Sequence, residues 1–319
     1  MNDKLSWVAA VAQSVLGTSV AVNPSTNFLQ VSDFEITPNQ AWDTIKILSG
    51  KFTSEPKVPG NLNATCKGKI PLVSGGVETP PSCDLILKAA GFTGTIDTTP
   101  TGGSKYIYTR SGNQIDLSMC KYRIDGANGI TYNANSIMFN NLKISLESGK
   151  VAMLDFSGPG LAGGYNNAQP EVAGVLTAPT QVKIPYYAVN DVATTVLDTT
   201  YTLAKADFEI VNKIAHKQVM TGYGFGAPEV QDEESKFNFS VLINSSLAPL
   251  PFARMRSSQT PGAFSFTFGA IAGQRISIVS TLAQLQDVKE SKTGEFISND
   301  VSGEFIDNNL VITFNSDLT

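Results

Sequence analysis

Histidine is almost missing from this chain: His216 is the only one. Multi-histidine metal sites need several imidazoles, and a His-based triad needs its one imidazole beside a nucleophile and an acid, so both read as out for the single chain. Its neighbours Lys213 and Lys217 make His216 read as a surface or loop residue. Cysteine is scarce as well. Cys66, Cys83 and Cys120 form an odd set without paired spacing, which gives no disulfide framework and no CxxC half-site for a metal. Buried free thiols made in a reducing cytoplasm are the expectation. Basic residues are outnumbered, 23 against 28 acidic ones, for a net charge of -5. A tight nucleic-acid binder collects Lys and Arg to displace counterions from phosphate, and this chain does not.

Phosphate-binding glycine loops are missing too. Gly158-Pro159-Gly160-Leu161-Ala162-Gly163 has the spacing of a dinucleotide fingerprint, but Tyr165-Asn166-Asn167-Ala168-Gln169-Pro170 is a poor helix start. Without a helix N-terminus the backbone N–H groups have no reason to face a pyrophosphate. Gly50-Lys51-Phe52 lacks the upstream glycine and the hydroxyl of a P-loop. No cofactor, metal or catalytic residue is therefore assigned. The apolar stretch at residues 7–22 is broken by Gln13 and Ser14 and preceded by one basic residue, Lys4. It is too short and polar to span a bilayer and makes a poor signal peptide. It reads as a short helix or extended arm, ended by Gly17-Thr18, that packs on its own domain or reaches a neighbour.

What the chain does contain is a repeat. Ser32-Asp33-Phe34-Glu35-Ile36 returns as Ala206-Asp207-Phe208-Glu209-Ile210. Gly149, Asp155, Ser157 and Gly158 return at the same spacing as Gly294, Asp300, Ser302 and Gly303. Between these anchors Leu62, Ala64, Cys66 and Gly68 alternate with polar residues, as do Phe237, Phe239, Val241 and Ile243. Alternation with period two is the mark of a half-buried strand. Two matches in one order imply a single β unit used twice. The first copy carries extra sequence around 73–105.

A coarse pass gives strands at 27–36, 44–54 and 62–72, with a break at Thr37-Pro38-Asn39-Gln40 and a loop over 56–61. Ser82 reads as the N-cap of a helix over about 82–90 that Gly91 stops, with Lys88 exposed on its outer side. Further strands are expected at 106–108, 115–124, 130–146 and 151–156, with a turn at Asp125-Gly126. The Gly/Ala/Pro-rich segment from Gly158 to Pro185 reads as a link. The resulting division is an N-terminal arm at 1–26, a first β domain at 27–160, a linker at 161–190 and a second β domain at 191–319. Many short strands with Gly/Pro punctuation make the fold class mainly β, of sandwich or partial-barrel type.

The segments Leu85-Ile86-Leu87-Lys88-Ala89-Ala90-Gly91-Phe92, Tyr106-Ile107-Tyr108, the strand ending in Asp125-Gly126, and Leu146-Glu147-Ser148-Gly149 leading to Asp155-Phe156-Ser157-Gly158 occur in the order found in the major tail tube proteins of long-tailed bacteriophages, which this chain resembles over nearly its whole length. Asn27-Phe28-Leu29-Gln30-Val31 and the C-terminal run through Asn309-Leu310-Val311-Ile312-Thr313-Phe314 share the resemblance; the apolar N-terminal stretch departs from it. The resemblance implies two tandem tube domains, each a β-sandwich, the first flanked by the short helix. It implies a structural virion protein, not an enzyme, whose rings stack into a hollow tail tube for DNA. With two domains per chain, three subunits fill six positions in a homotrimeric, pseudo-sixfold ring. A hexamer with one domain lining the channel and the other decorating the outside is the alternative.

The implied partners are other copies of the chain, a tape measure protein, a tail terminator and distal tail or baseplate proteins, with DNA passing through unbound and no membrane. The implied location is the virion tail, after assembly in the host cytoplasm. A weakly acidic lumen suits sliding DNA. In that family a long loop after an early strand touches the next ring. By position this is 38–60, with Lys51 and Lys57, and 211–234, with Glu229, Asp232, Glu233 and Glu234. The contrast in charge implies contacts with different or opposite neighbours. A capsid decoration, an adhesin or another secreted β protein is the competing class.

Overall fold

The computed structural model describes residues 6–14, 20–23, 26–44, 57–99, 103–125, 128–166, 193–196, 199–200, 203–218, 225–242, 261–269, 275–293 and 295–315. The chain is mainly β, and its strands join into one connected antiparallel network. In order they are β1 (Ser6–Ala12), β2 (Phe28–Leu29), β3 (Asp33–Thr44), β4 (Lys57–Pro71), α1 (Asp84–Ala89), β5 (Phe92–Asp97), β6 (Lys105–Arg110), β7 (Leu117–Asp125), β8 (Asn128–Ile137), β9 (Asn141–Glu147) and β10 (Met153–Asn166). There follow β11 (Ala193–Val196), β12 (Thr199–Thr200), β13 (Leu203–Gln218), β14 (Phe225–Leu242), β15 (Gly262–Phe268), β16 (Ile276–Thr293), β17 (Phe296–Phe305) and β18 (Val311–Asn315).

The two halves of the chain pair their strands in the same order. In the first, β3 pairs with β4, β4 with β10, and β10 with β9. In the second, β13 pairs with β14, β14 with β17, and β17 with β16. The remaining pairings match as well. β2–β1–β7–β8 corresponds to β12–β11–β15–β16, and the far end of β10 on β8 corresponds to β18 on β16. Among the described residues, the first half alone inserts elements, α1, β5 and β6, between β4 and β7. That insertion crosses over: β6 pairs with β18 of the second half. A second seam joins β9 to β13.

Alternation explains why one face is buried. Phe34, Ala64, Cys66, Ile70, Leu142, Ile144, Leu154 and Phe156 are closed to solvent, while most of their strand neighbours are exposed or half-buried. In the second half the rings of Phe208 and Phe237 pack on Phe264 and Phe266 of β15, a strand that pairs with neither β13 nor β14. Phe305 closes the same group of rings. Such edge-to-face and offset pairs add to area burial.

Cross-strand rows show how the halves differ. Phe34, Gly68, Phe156 and Leu142 are successive partners in the first, and Phe208, Phe237, Gly303 and Leu285 in the second. Each row holds one glycine, on the second strand in one case and the third in the other. A Cβ on Gly68 would stand 2.6 Å from the Phe156 ring, and one on Gly303 would stand 2.4 Å from the Phe237 ring. If Phe34 and Phe208 are matched, Phe156 meets Gly303 and not Val301. The two repeated sequence anchors are thus out of step by two residues, a slip that keeps every side chain on its own face.

Several expectations are corrected. The break at Thr37-Pro38-Asn39-Gln40 lies inside β3. Pro38 is tolerated because β3 has a strand on one side only among the described residues. Residues 57–61 belong to β4 and form no loop; the strand expected at 44–54 falls almost wholly outside the described residues. Gly158–Gly163 is not linker but the middle of β10, which runs on to Asn166. There a Cβ on Gly158 would stand 2.0 Å from the Met138 carbonyl, so the glycine permits close backbone approach as β10 passes from β4 to β8. The N-terminal stretch is extended: β1 pairs with β2 and β7 on its own half. The helix begins at Asp84, not 82. Ser82 spends its hydroxyl on the Pro71 carbonyl, 3.2 Å away, so no side chain caps the helix. Gly91 ends it at φ 96° as expected. Lys88 is half-covered and ion-paired to Asp84 at 2.9 Å, whose other oxygen accepts from the Tyr108 hydroxyl at 2.7 Å. His216 sits on β13 opposite Pro228, in a strand and not a loop. All three cysteines are buried.

Candidate assembly interface

The β9–β13 seam joins the two four-stranded units into one sheet, in the order β3–β4–β10–β9–β13–β14–β17–β16. Seven consecutive residue pairs make the seam, from Lys205 opposite Glu147 to Val211 opposite Asn141. Both ends of the sheet are open. Among the described residues β3 pairs with β4 alone, and the stretch of β16 beyond Leu285 pairs with β17 alone. An open edge presents a row of unmatched N–H and C=O groups and is a template for another strand.

The outward face of this sheet is polar and ordered by charge. One cross-strand row reads Asp33, Lys69, Asp155, Lys143, Glu209, Lys236, Glu304 and Gln284, each opposite the next on the neighbouring strand. The sign alternates across the first seven positions. Opposite charges directly across antiparallel strands are mildly stabilising, and like charges there are destabilising. Lys69 reaches Asp155 at 2.8 Å, and hydrogen bonding to that carboxylate holds the ammonium above its ordinary pKa. Lys67 and Glu35 pair at 2.8 Å on the adjoining row. At the seam Asp207 takes Lys205 at 3.0 Å and Lys143 at 3.4 Å, tying the two halves together on this face. Two shallow depressions lie on this face, one bordered by Asp33, Asp155 and Ser157, the other by Asp207, Asp300 and Ser302. The repeated sequence anchors are therefore surface features as well as core ones.

Antiparallel order fixes the two rims of the sheet. The β3–β4 and β13–β14 hairpins turn at one rim. The β9–β10 turn and the β16–β17 turn lie at the opposite rim. Both hairpins of the first rim outgrow the sheet. Among the described residues no third strand accompanies β3–β4 beyond Ala64 or β13–β14 beyond Val211. The segments expected as loops at 38–60 and 211–234 are thus paired hairpin arms, apart from residues 45–56 and 219–224, which fall outside the described residues.

The expected contact residues separate into three groups. Lys57, Glu229 and Asp232 are exposed on the arms, with Glu229 ion-paired to Lys217. Glu234 is exposed at the base of the second arm and takes Lys236 at 2.8 Å. Glu233 points the other way. Its carboxylate lies 3.3 Å from Arg110 Nε, and the two side chains are 12% and 1% exposed. Lys51 lies outside the described residues. The five described residues do not form one patch, since Glu233 faces Arg110 while the others are exposed.

The group that sequence reasoning missed is the one around Arg110. Its guanidinium donates to the Ala90 carbonyl and to the Asn212 side-chain oxygen, and it lies 5.2 Å from the Phe92 ring centre. Burial holds the Arg110 pKa below its ordinary value, against the opposing pull of Glu233. Asn212 donates to the Ala90 and Phe139 carbonyls, both at 2.9 Å. The insertion, the β8–β9 connection and the second arm are all fastened at this point. No local motif signals it, since Arg110, Asn212 and Glu233 are distant in the chain and meet only through pairing order.

The sequence matches no protein-family model, and it matches no curated protein.

Proposed function

We propose that this chain is the structural subunit of a viral tail tube, closing in threes into pseudo-sixfold rings that stack around a DNA channel. One observation carries the reading. The seam inside the chain joins the last strand of one four-stranded unit, β9, to the first strand of the next, β13. Among the described residues the strands with the same two roles at the ends of the sheet, β16 beyond Leu285 and β3, each have one neighbour only. Repeating the internal junction between chains pairs β16 of one with β3 of the next. A heterologous contact of this kind closes when its rotation completes a circle.

The eight-stranded sheet favours three chains over six, because both halves contribute side by side to one surface. Three chains then supply a closed barrel of three times eight strands. In this reading each half is a β-sandwich module, supported by the packing of Phe208 and Phe237 on Phe264 and Phe266 across strands that share no hydrogen bonds. The alternating charge row balances its own field, so a duplex moving along it meets no basic stripe to bind. The resemblance adds the tape measure, terminator and distal tail proteins as partners, and virion assembly in the host cytoplasm.

The test is mass measurement and electron microscopy of the purified protein over a concentration series. Three-chain rings and stacked tubes are the expected result. Cysteines placed at Glu35 and Asp287, the counterparts of Glu209 and Lys143 at the internal seam, or one position either side, should cross-link between chains in those rings. A protein that stays monomeric at every concentration ends the proposal.

A further inference from the structure

The two rims of the sheet carry unequal ends. On the first rim the β3–β4 arm bears Trp42, 57% exposed, and Val58, 42% exposed. The β13–β14 arm bears the exposed polar residues Glu229 and Asp232 instead. On the opposite rim the β16–β17 turn bears Phe296, 71% exposed, and Ile297, 52% exposed. The β9–β10 turn there bears Glu147 and Lys150, ion-paired at 2.8 Å. Among the described residues each rim thus carries one apolar and one polar hairpin. These four residues make up most of the large exposed apolar side chains among the described residues, and they lie near the described ends of paired hairpin strands.

We infer that the occupant of each apolar end is a second copy of this chain: the Trp42 arm of one ring docks on the Phe296–Ile297 turn of the ring stacked on it. This rests on the ring reading above and sets the rotation between neighbouring rings. The apolar arm belongs to the first half and the apolar turn to the second. Apolar-on-apolar docking therefore places a first half over a second half, and the polar arm then falls over the Glu147–Lys150 turn. Stacking in the other register would press Trp42 onto the Glu147–Lys150 ion pair and Phe296 onto Glu229 and Asp232, which takes charged groups out of water against apolar side chains. Two different surfaces on one molecule make an open, head-to-tail contact, and such contacts build filaments.

The test separates rings from stacks. Trp42→Glu and Phe296→Lys, made singly, are both at exposed sites and should leave circular dichroism and ring mass unchanged. Each should lower the pelletable polymer at least tenfold. The double variant should recover polymer, since the new charges attract across the contact. In a second measurement, Trp42→Cys with Phe296→Cys should give a ladder of covalent multimers with a short bismaleimide in assembled tubes and none in isolated rings. Single variants that polymerise like the parent protein, or tubes that yield no ladder, overturn the inference while leaving the rings standing. Absence of rings in the parent protein overturns the ring reading itself.

Discussion

Arg110 donates to the side-chain oxygen of Asn212, joining the inserted β6 to the second arm at a place where neither residue meets solvent. The contact secures the insertion of the first half on a hairpin of the second. Arg110 is held by a carboxylate, a carbonyl, an amide oxygen and a ring. Removing one member of a buried pair strands the other charge, which costs about 3–5 kcal/mol. Arg110→Met should lower stability by that order in urea unfolding. Arg110→Met combined with Glu233→Met should be much less damaging, because no charge is then left buried. A double variant as unstable as the single one would show that packing and not charge governs the site.

The same contact redirects any experiment on the acidic run. Reversing Asp232, Glu233 and Glu234 together would unfold the junction through Glu233 and say nothing about assembly. Asp232→Lys with Glu234→Lys leaves Arg110 served. This pair should keep the parent urea midpoint within about 0.5 kcal/mol, as exposed substitutions do. Adding Glu233→Lys should drop it sharply, a difference that equilibrium unfolding reads directly.

The two glycines in the core rows make a paired prediction. Gly68→Ala puts a methyl 2.6 Å from the Phe156 ring and 2.8 Å from the Asp33 carbonyl. Gly303→Ala puts one 2.3 Å from the Gln284 carbonyl. Backbone cannot yield as a flexible side chain can, so each should cost about 1–3 kcal/mol through overpacking. Phe156→Leu should partly rescue Gly68→Ala, and Phe237→Leu should do so for Gly303→Ala. The crossed combinations should not. Thermal melts of the six variants check this, and rescue in the crossed pairs would refute the complementarity.

How much of this was legible beforehand depends on range. The alternation through Ala64, Cys66 and Gly68, the apolar face of α1 and the stop at Gly91 are local signals, and the structure follows them. The segment at Gly158–Gly163 misled because glycine and proline usually end strands. Here they let β10 pass close to Met138 while changing partners. Pro38 misled for the same reason, since nothing local says that β3 lies at an edge. Glu233 was unreadable in principle: its two acidic neighbours are exposed, and its own burial depends on an arginine more than a hundred residues away. Of the expected contact residues, Lys57, Glu229 and Asp232 do lie on the arms. Trp42 and Phe296 were passed over because an exposed aromatic and a buried one look alike in sequence.

The thiols give a test of burial by pH. Desolvation pushes Cys66 up to about 12 and raises Cys83 further, from an ordinary 9.0. In the unfolded chain these thiols ionise near 9.0, while the folded chain holds their protons longer. Their contribution to stability is therefore complete below 9.0 and falls as pH rises toward 12. At pH 8 the folded protein should leave Cys66 and Cys83 unreactive toward a thiol-specific disulfide reagent, and both should react once urea is added. Rapid labelling of either in the native state would place that residue at the surface.

Lys143 tests whether the charge row holds the seam. It faces Asp155 on one side and Glu209 on the other, and its ammonium lies 3.4 Å from Asp207. Lys143→Glu would crowd four carboxylates on adjoining strands. Each like-charged pair across strands is worth a few tenths to about 1 kcal/mol, so the total loss should be about 1–2 kcal/mol. The group is partly exposed, so salt should screen it: raising ionic strength from 0.01 M to 1 M shrinks the Debye length from about 30 Å to about 3 Å and should remove most of the difference. Lys143→Met, which deletes attraction without adding repulsion, should show the smaller loss and the weaker salt dependence. Glu209→Lys in the Lys143→Glu background restores alternation at the seam itself and should recover stability there, although it then faces Lys236 on the far side. If urea midpoints of Lys143→Glu and Lys143→Met coincide at low salt, the row is a pattern without energetic consequence.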